Sequence, residues 1–536
     1  MAKWKCEEKV DALYAGGRQL ASSIHKRRTR RVGRAQAAAH EVMRQDNLVQ
    51  YILEKTGASH FRNPNGFALI NKLFNTETNI LRPDDPPNFK ECMGSVDETM
   101  KGFIADMKMP KSVRKFKHDE LNIRKILKKV TTSVAGADES TCFPTLCIWL
   151  ITHKDELVDV DTINLMSIDL SHNSENMNHF VTLLRSGALA NLTKLNLGRN
   201  QIGDEGMQVF STAISSGALG SLTILGLSGN EISDDGMKAF SSALSSGSLA
   251  SLQQLWLQQN QIGDEGMKAF SSALSSGALV NLTELNLGPN QIGDEGMQVF
   301  STAIRSGALA SLQALHLPRN QIDDEGMKAF SGAISLGALA NLVDLRLGNN
   351  QIGAVGMIAF VDAIKPTDEI PMGVLANLTK LDLESNRIGD EGMQAFSTAI
   401  SSDALGSLEH LGLAQNQIGD AGMIAFANAI EPTDEIPTGS LAFIRELSLQ
   451  RNQIGDAGIE GFSSALSNGA LATLTYLDLG SNQNLPNFGI TAFVDAIRSG
   501  ALKSLKLLAV NDGHLVNGDP ALKEVCDRRE IRLLSD

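Results

Sequence analysis

The sequence contains no Gly-Lys dipeptide, and so no G-x-x-x-x-G-K-[ST] loop to cradle a nucleotide phosphate. That excludes a nucleotide-switch domain built on such a loop. H-E-x-x-H and G-x-S-x-G are also absent, which removes the helix-borne zinc protease site and the strand-turn-helix serine nucleophile. The ten histidines do not gather with cysteines or carboxylates at metal-ligand spacing. Cysteine is sparse: Cys6, Cys92, Cys142, Cys147 and Cys526 are odd in number and scattered. Cys142 and Cys147 lack the second Cys/His pair that a four-ligand zinc site needs, so a reducing compartment is the expected setting. Aromatic residues make up only 5% of the chain, with three Trp and three Tyr, which leaves little for stacking against bases. No apolar run approaches 18 residues, and the stretch around Phe143 to Ile151 is too short to span a membrane. Lys3, Lys5, Glu7, Glu8, Lys9 and Asp11 interrupt any secretory apolar segment at the start.

What is abundant is a repeat. Asn200, Asn230, Asn260, Asn290, Asn320 and Asn350 stand thirty residues apart, each closing the pattern L-x-x-L-x-L-x-x-N. After two longer steps the series continues at Asn386, Asn416, Asn452 and Asn482, and a weaker copy ends at Asn173. A frayed last copy lies around Leu502, Leu505 and Leu507. A fixed period of this size marks a stacked solenoid.

One unit shows the physics. Leu192, Leu195 and Leu197 alternate as a short strand, with the leucines on one face. Asn200 follows at a turn, where its amide can satisfy backbone groups and, when stacked, form a ladder. Asp204 is expected as a helix N-cap, with Glu205 at the positive end of the helix dipole. Met207, Phe210 and Ile214 share one helical face, and Gly217 suits a left-handed helix end. A single unit cannot bury both faces, whereas stacked neighbours can.

The about twelve units, over roughly residues 155–515, resemble the ribonuclease-inhibitor class of leucine-rich repeats. The resemblance implies an α/β solenoid: a curved horseshoe with a parallel sheet on the concave side and helices on the convex side. It implies a binding scaffold and names no ligand. The same L-x-x-L-x-L-x-x-N-x-I-G-D-x-G frame also resembles the Ran GTPase activator. That family starts its repeats near its N-terminus and ends in a long acidic tail, unlike Arg528-Arg529-Glu530-Ile531-Arg532 here, so no catalytic residue carries over.

The domains expected are a basic, mainly helical region at 1–135, an N-terminal cap at 136–160, the repeats at 161–510 and a C-terminal cap at 511–536. Residues 1–150 carry 26 Lys+Arg against 17 Asp+Glu, so within a chain of net charge −13 the remainder carries −22. Helices are expected over Phe89 to Met107 and Asp119 to Val130. Lys26, Arg27, Arg28, Arg30, Arg31 and Arg34 form a basic patch with three readings: a nuclear or nucleic-acid signal, a solvated stretch, or a segment docked on the acidic solenoid. Arg124, Lys125, Lys128 and Lys129 could line one helix face.

The repeats act as controls for one another. Outer helix positions hardly vary: Gln208, Lys238, Lys268, Gln298, Lys328. The central strand position runs Asn196, Gly226, Trp256, Asn286, His316, Arg346, Asp382, Gly412, Ser448, Asp478, and its neighbour varies as freely from Lys194 to Tyr476. A copied frame with a diversified open face points to partner binding there, through Trp256, Arg346, His316, Arg319, Tyr476, Asp382 and Asp478, with Trp256 as anchor. The acidic pairs Asp204/Glu205 through Asp390/Glu391 read as helix caps, the methionine column from Met207 to Met423 as core, and the two Pro-Thr-Asp-Glu-Ile-Pro stretches at 366–371 and 432–437 as copied loop insertions.

The leading expectation is a non-enzymatic interaction scaffold with no catalytic residue, metal or cofactor and a protein partner on the concave face. The alternatives are a GTPase-activating protein with a small GTPase as partner, and a sensor or cytoskeletal adaptor. Nucleic acid is disfavoured as a partner, the basic run being its one support. The cytoplasm is the expected compartment, with the nucleus as alternative.

Overall fold

A computed structural model describes residues 95–100, 120–133, 139–157, 159–171, 175–368, 370, 373–434, 436–482, 487–510 and 520–534. All of them fall in one compact unit, residues 87–536. The basic patch from Lys26 to Arg34, Cys6 and Cys92 lie outside the described residues.

Three-residue strands alternate with helices along the chain. The strands form one 14-stranded sheet whose spatial order is the sequence order, from Glu120–Asn122 to Arg532–Leu534. Neighbouring strands pair in parallel without slippage: Leu195 faces Leu225, and Leu225 faces Leu255. The register is fixed because a one-residue slip would turn every core leucine to the open side. Leu195 and Leu197 are buried against Met207, Phe210 and Ile214 of the helix Gly203–Ser215, and this layer recurs in each repeat to form one continuous core. The methionine column from Met207 to Met423 lies in that core. Gly217 ends its helix at φ +79°, a conformation that favours glycine.

The asparagine ladder forms as expected. Asn320 is buried; its Nδ2 donates to Leu287 O and Leu317 O, and its Oδ1 accepts from Ile292 N. Each such amide thus joins its own turn to the preceding repeat.

Both ends depart from the expected register. The strand of the weak first copy is Thr162–Asn164, and Ile163 pairs with Leu195, so Val160, Ile163 and Leu165 fill the leucine places. Ile168 occupies the asparagine's place, its N–H donating to Asn200 Oδ1, while Asn173 lies outside the described residues. In the last copy Leu477 pairs with Leu508, so the core places fall to Leu505, Leu508 and Val510, three residues beyond the expected set. Leu507 instead takes the open-face place beside Tyr476. The helix expected from Asp119 begins later, because Glu120–Asn122 is a strand; it runs Ile123–Ser133. Its Arg124, Lys125, Lys128 and Lys129 are all exposed.

The helix Glu139–Thr152 lies within the expected cap segment and buries Phe143, Leu146, Trp149 and Leu150. The parallel sheet extends beyond the 161–510 stretch on both sides. Cys142, Cys147 and Cys526 are buried, and burial pushes the Cys526 thiol up to about 11.

Candidate protein-interaction face

The side chains flanking each core leucine point away from the helices and form two parallel rows on the open face of the sheet. Strand register puts Asn196, Gly226, Trp256, Asn286, His316, Arg346, Asp382, Gly412, Ser448 and Asp478 in one row. Lys194, Ile224, Gln254, Glu284, Ala314, Asp344, Lys380, His410, Glu446 and Tyr476 form the second, by the same pairings. The face changes character along its length.

Toward the N-terminal side it is neutral and aromatic. Trp256 is half-buried rather than fully exposed. Its indole N–H donates to Glu284 Oε1 at 2.9 Å, which locks the ring orientation. The ring also lies beside Gly226, where a Cβ would stand 3.3 Å from Trp256 Cε3. The sequence variation at these two places is therefore coupled: the bare Cα of Gly226 makes room for the indole.

In the middle, Asp344 stands between two basic side chains. Arg346 meets it in a two-pronged contact, Nε to Oδ1 at 3.0 Å and Nη2 to Oδ2 at 2.8 Å, and His316 Nε2 lies 3.3 Å from Oδ2. Burial works to raise the Asp344 carboxyl, but His316 and Arg346 outweigh it and hold it well below the usual carboxylate range. The hydrogen bond to Asp344 in turn raises the Arg346 guanidinium.

Beyond Arg346 the face turns acidic. Burial pushes the Asp382 carboxyl up, and burial followed by repulsion from Asp382 does the same to Glu384. Gly412 lies beside both, since a Cβ there would meet Glu384 Cγ at 2.9 Å and Asp382 Oδ1 at 3.3 Å. Asp478 is 6% exposed and already engaged, accepting from Tyr476 Oη at 3.1 Å and from Gly480 N at 2.9 Å. It shapes the end of the face more than it offers a free carboxylate.

Of the sequence-derived candidates, Trp256, His316, Arg346, Asp382 and Asp478 share the central row, and Tyr476 stands in the neighbouring one. Arg319 does not join them. It is exposed on the loop three residues past His316, in a left-handed conformation at φ +55°. Sequence reasoning passed over Glu384 and read Asp344 only as a varied neighbour. Glu284, which anchors the Trp256 indole, was read in the same way. Their signal was present in the spacing, because Asp344 and Glu384 each stand two residues from a selected position, and Glu284 two from Asn286 of the central row, and so point to the same face.

The acidic pairs have a role that the sequence did not disclose. Asp264 lies inside its own helix, Asp264–Ser275, and caps the next one: Oδ1 accepts from Gly293 N at 2.7 Å and Gly296 N at 2.9 Å. The N-cap place of its own helix is held by Gly263. The expected self-cap is thus corrected to a cap across the repeat junction. Glu265 stays exposed. Among the described residues, no group of three or more His, Cys, Asp or Glu is placed to hold a metal ion.

The sequence matches the Leucine Rich repeat family model nine times, at 188–211, 221–241, 248–271, 278–301, 308–331, 338–361, 374–397, 407–427 and 440–463. The chain is a leucine-rich repeat protein. Among solved structures, this leucine-rich repeat array is similar to an internalin of Listeria monocytogenes, with 20% identity and a TM-score of 0.37, over 69% of this chain and 91% of that one. It is also similar to a TDR receptor, with 16% identity and a TM-score of 0.34, over 63% of this chain and 54% of that one. No curated protein matches the sequence. Leucine-rich repeat arrays serve as protein-interaction scaffolds, and among the described residues of this one no helix is long and apolar enough to cross a membrane.

Proposed function

We propose that the open face of the sheet is the partner-binding surface of a non-enzymatic scaffold, and that Trp256 is its anchor. The carrying observation is the contrast between the two sides of the array. From Gln208 to Lys328 the outer helix position holds only Gln or Lys, and it then reads Ile358, Gln394, Ile424 and Glu460, whereas the central row changes residue type at almost every step from its start. Drift alone would alter both sides. A tryptophan held by Glu284 presents a large, oriented, partly apolar surface at little entropic cost, the character of a binding hot spot. The partner is a protein whose surface is apolar opposite Trp256 and polar opposite Arg346 and Asp382.

The alternation of a three-residue strand with a helix in units of thirty residues supports the ribonuclease-inhibitor-like subclass. The buried thiols of Cys147 and Cys526, outside any disulfide, support a reducing compartment, the cytoplasm or nucleus. The basic N-terminal region expected at residues 1–135 serves as a separate module in this reading only ahead of Glu120–Asn122, which is already the first strand of the sheet.

The test is quantitative capture of partners by the full chain, by Trp256→Ala and by an outer-face control, Lys268→Ala, all checked for equal melting temperature. Truncation of an anchoring Trp costs about 2 kcal/mol or more, roughly thirtyfold in affinity. Loss of a partner in Trp256→Ala alone supports the open face. Equal capture by all three variants contradicts it.

A further inference from the structure

From Asp204 to Asp420 the cross-repeat caps form a stitch along the helix side that is interrupted once. Asp204 caps Ser233 and Gly236, and Asp234, Asp264, Asp294 and Asp324 each cap the next repeat in the same way. The stitch resumes with Asp390 and Asp420. Between them the place belongs to Ala354, which has no acceptor to offer.

The backbone responds at that junction. Where an aspartate reaches across, the receiving glycine is extended, as at Gly263 with φ −106° and Gly419 with φ −102°. Opposite Ala354, Gly389 adopts φ +62°, its helix starts at that residue, and its N–H turns to Asn416 O. Gly392 bonds only within its own helix, to Ile388 O. Gly203 shows the same state, with φ +60° and its N–H on Asn230 O; the corresponding place in the preceding repeat is Ser174, which is not an aspartate and lies outside the described residues. The same backbone state thus occurs at two junctions, neither of which has an aspartate at the capping place.

The strand side of the Ala354 junction remains stitched. Asn386 donates to Leu347 O and accepts from Ile352 N as in other repeats. The two helices stay packed, with Met357, Phe360, Met393 and Phe396 buried, but this junction alone in the series from Asp204 to Asp420 has its strand side stitched and its helix side without the aspartate bridge. We infer that the junction between the helices Ala354–Ile364 and Gly389–Ser401 is a built-in hinge of the array, opening on the helix side about the asparagine ladder.

The hinge falls at a meaningful place. On the open face the same junction separates Asp344 and Arg346 from Asp382 and Glu384. Opening on the helix side tilts these two charged groups against each other and lets the face change its curvature. The hinge itself stands on the capping pattern and holds whether or not that face is the binding surface.

Hydrogen exchange on the full chain tests it. The segment 386–396 is expected to exchange about tenfold faster than the equivalent segments 260–270 and 290–300, the loss of a junction bond to an ionised acceptor being worth at least that factor. Ala354→Asp supplies the residue native to the sibling repeats and is expected to slow segment 386–396 to the siblings' rate. Asp264→Ala is expected to create the same fast exchange at 290–300. Equal exchange of all three segments in the natural chain overturns the inference, and so does an Ala354→Asp variant whose segment 386–396 is unchanged.

Discussion

Removing Asp264 separates a cap that joins repeats from an ordinary charge at a helix start. Asp264 and Glu265 are adjacent, both acidic and both in the first turn of one helix. A reading from the helix dipole alone gives them similar weight. The structure does not. Asp264 Oδ1 takes two backbone N–H groups of the next repeat, at 2.7 Å and 2.9 Å. Glu265 is exposed and faces Lys268 at 3.8 Å, a surface pair of little worth. Bonds to an ionised acceptor contribute about 1.5–3 kcal/mol each, and replacing a helix cap by alanine costs about 0.5–2 kcal/mol. The carboxylate is partly exposed and water can reach the released glycine amides, so the lower end applies. Asp264→Ala is therefore expected to cost about 2 kcal/mol, and Glu265→Ala no more than about 0.5 kcal/mol. Asp264→Asn keeps an acceptor oxygen and should fall between them. The assay is urea unfolding followed by circular dichroism, with the midpoints compared at constant slope. A midpoint for Asp264→Ala that matches Glu265→Ala would refute the cross-repeat cap.

Other outcomes follow from the same geometry. Asn320→Ala leaves the Leu287 and Leu317 carbonyls and the Ile292 N–H without their side-chain partner in a buried turn; the expected cost is about 3 kcal/mol, read from the same unfolding curves. The raised carboxyl of Glu384 gives a pH signature. Because the folded state holds that proton more tightly, its ionisation weakens the fold as pH rises from the unfolded carboxylate range through the raised value. Glu384→Gln should melt higher than the natural chain at pH 7, and that gain should vanish in acid; a variant that melts lower at pH 7 contradicts the assignment. Asp344 has the opposite sign. Its lowered carboxyl stabilises the fold above the unfolded carboxylate range and loses that contribution only as pH falls toward the depressed value. Asp344→Asn should therefore destabilise at pH 7, with the deficit shrinking in acid as melting curves are repeated down the pH scale.

Much of this was legible in the chain because repeats average out error. Ten asparagines in one frame fixed the strand, the turn and the buried face together, and the strand pairings follow that frame. Where the asparagine was missing the frame slipped. Ile168 does the packing of an asparagine position without its amide, so the only asparagine that the pattern offers nearby is Asn173. At the other end Leu507 masqueraded as core because Leu508 and Val510 follow it closely.

The aspartates were misassigned for a different reason. A cap is local in sequence statistics, but here the acceptor lies about thirty residues before its donors, and a single repeat read alone cannot reveal that. The candidate face was legible as a pattern of variation. Its internal partnerships, Trp256 with Glu284 and Asp344 with Arg346, depend on strand adjacency and rotamers that spacing does not encode.

The central claim is that the open face, through Trp256, binds a protein. The most direct measurement is the affinity of a captured partner for the natural chain, for Trp256→Ala and for Lys268→Ala, by titration calorimetry at matched stability. The account predicts a loss of roughly thirtyfold or more for Trp256→Ala and none for Lys268→Ala. Unchanged affinity for Trp256→Ala, or a loss confined to Lys268→Ala, would contradict it and move the binding surface to the helices.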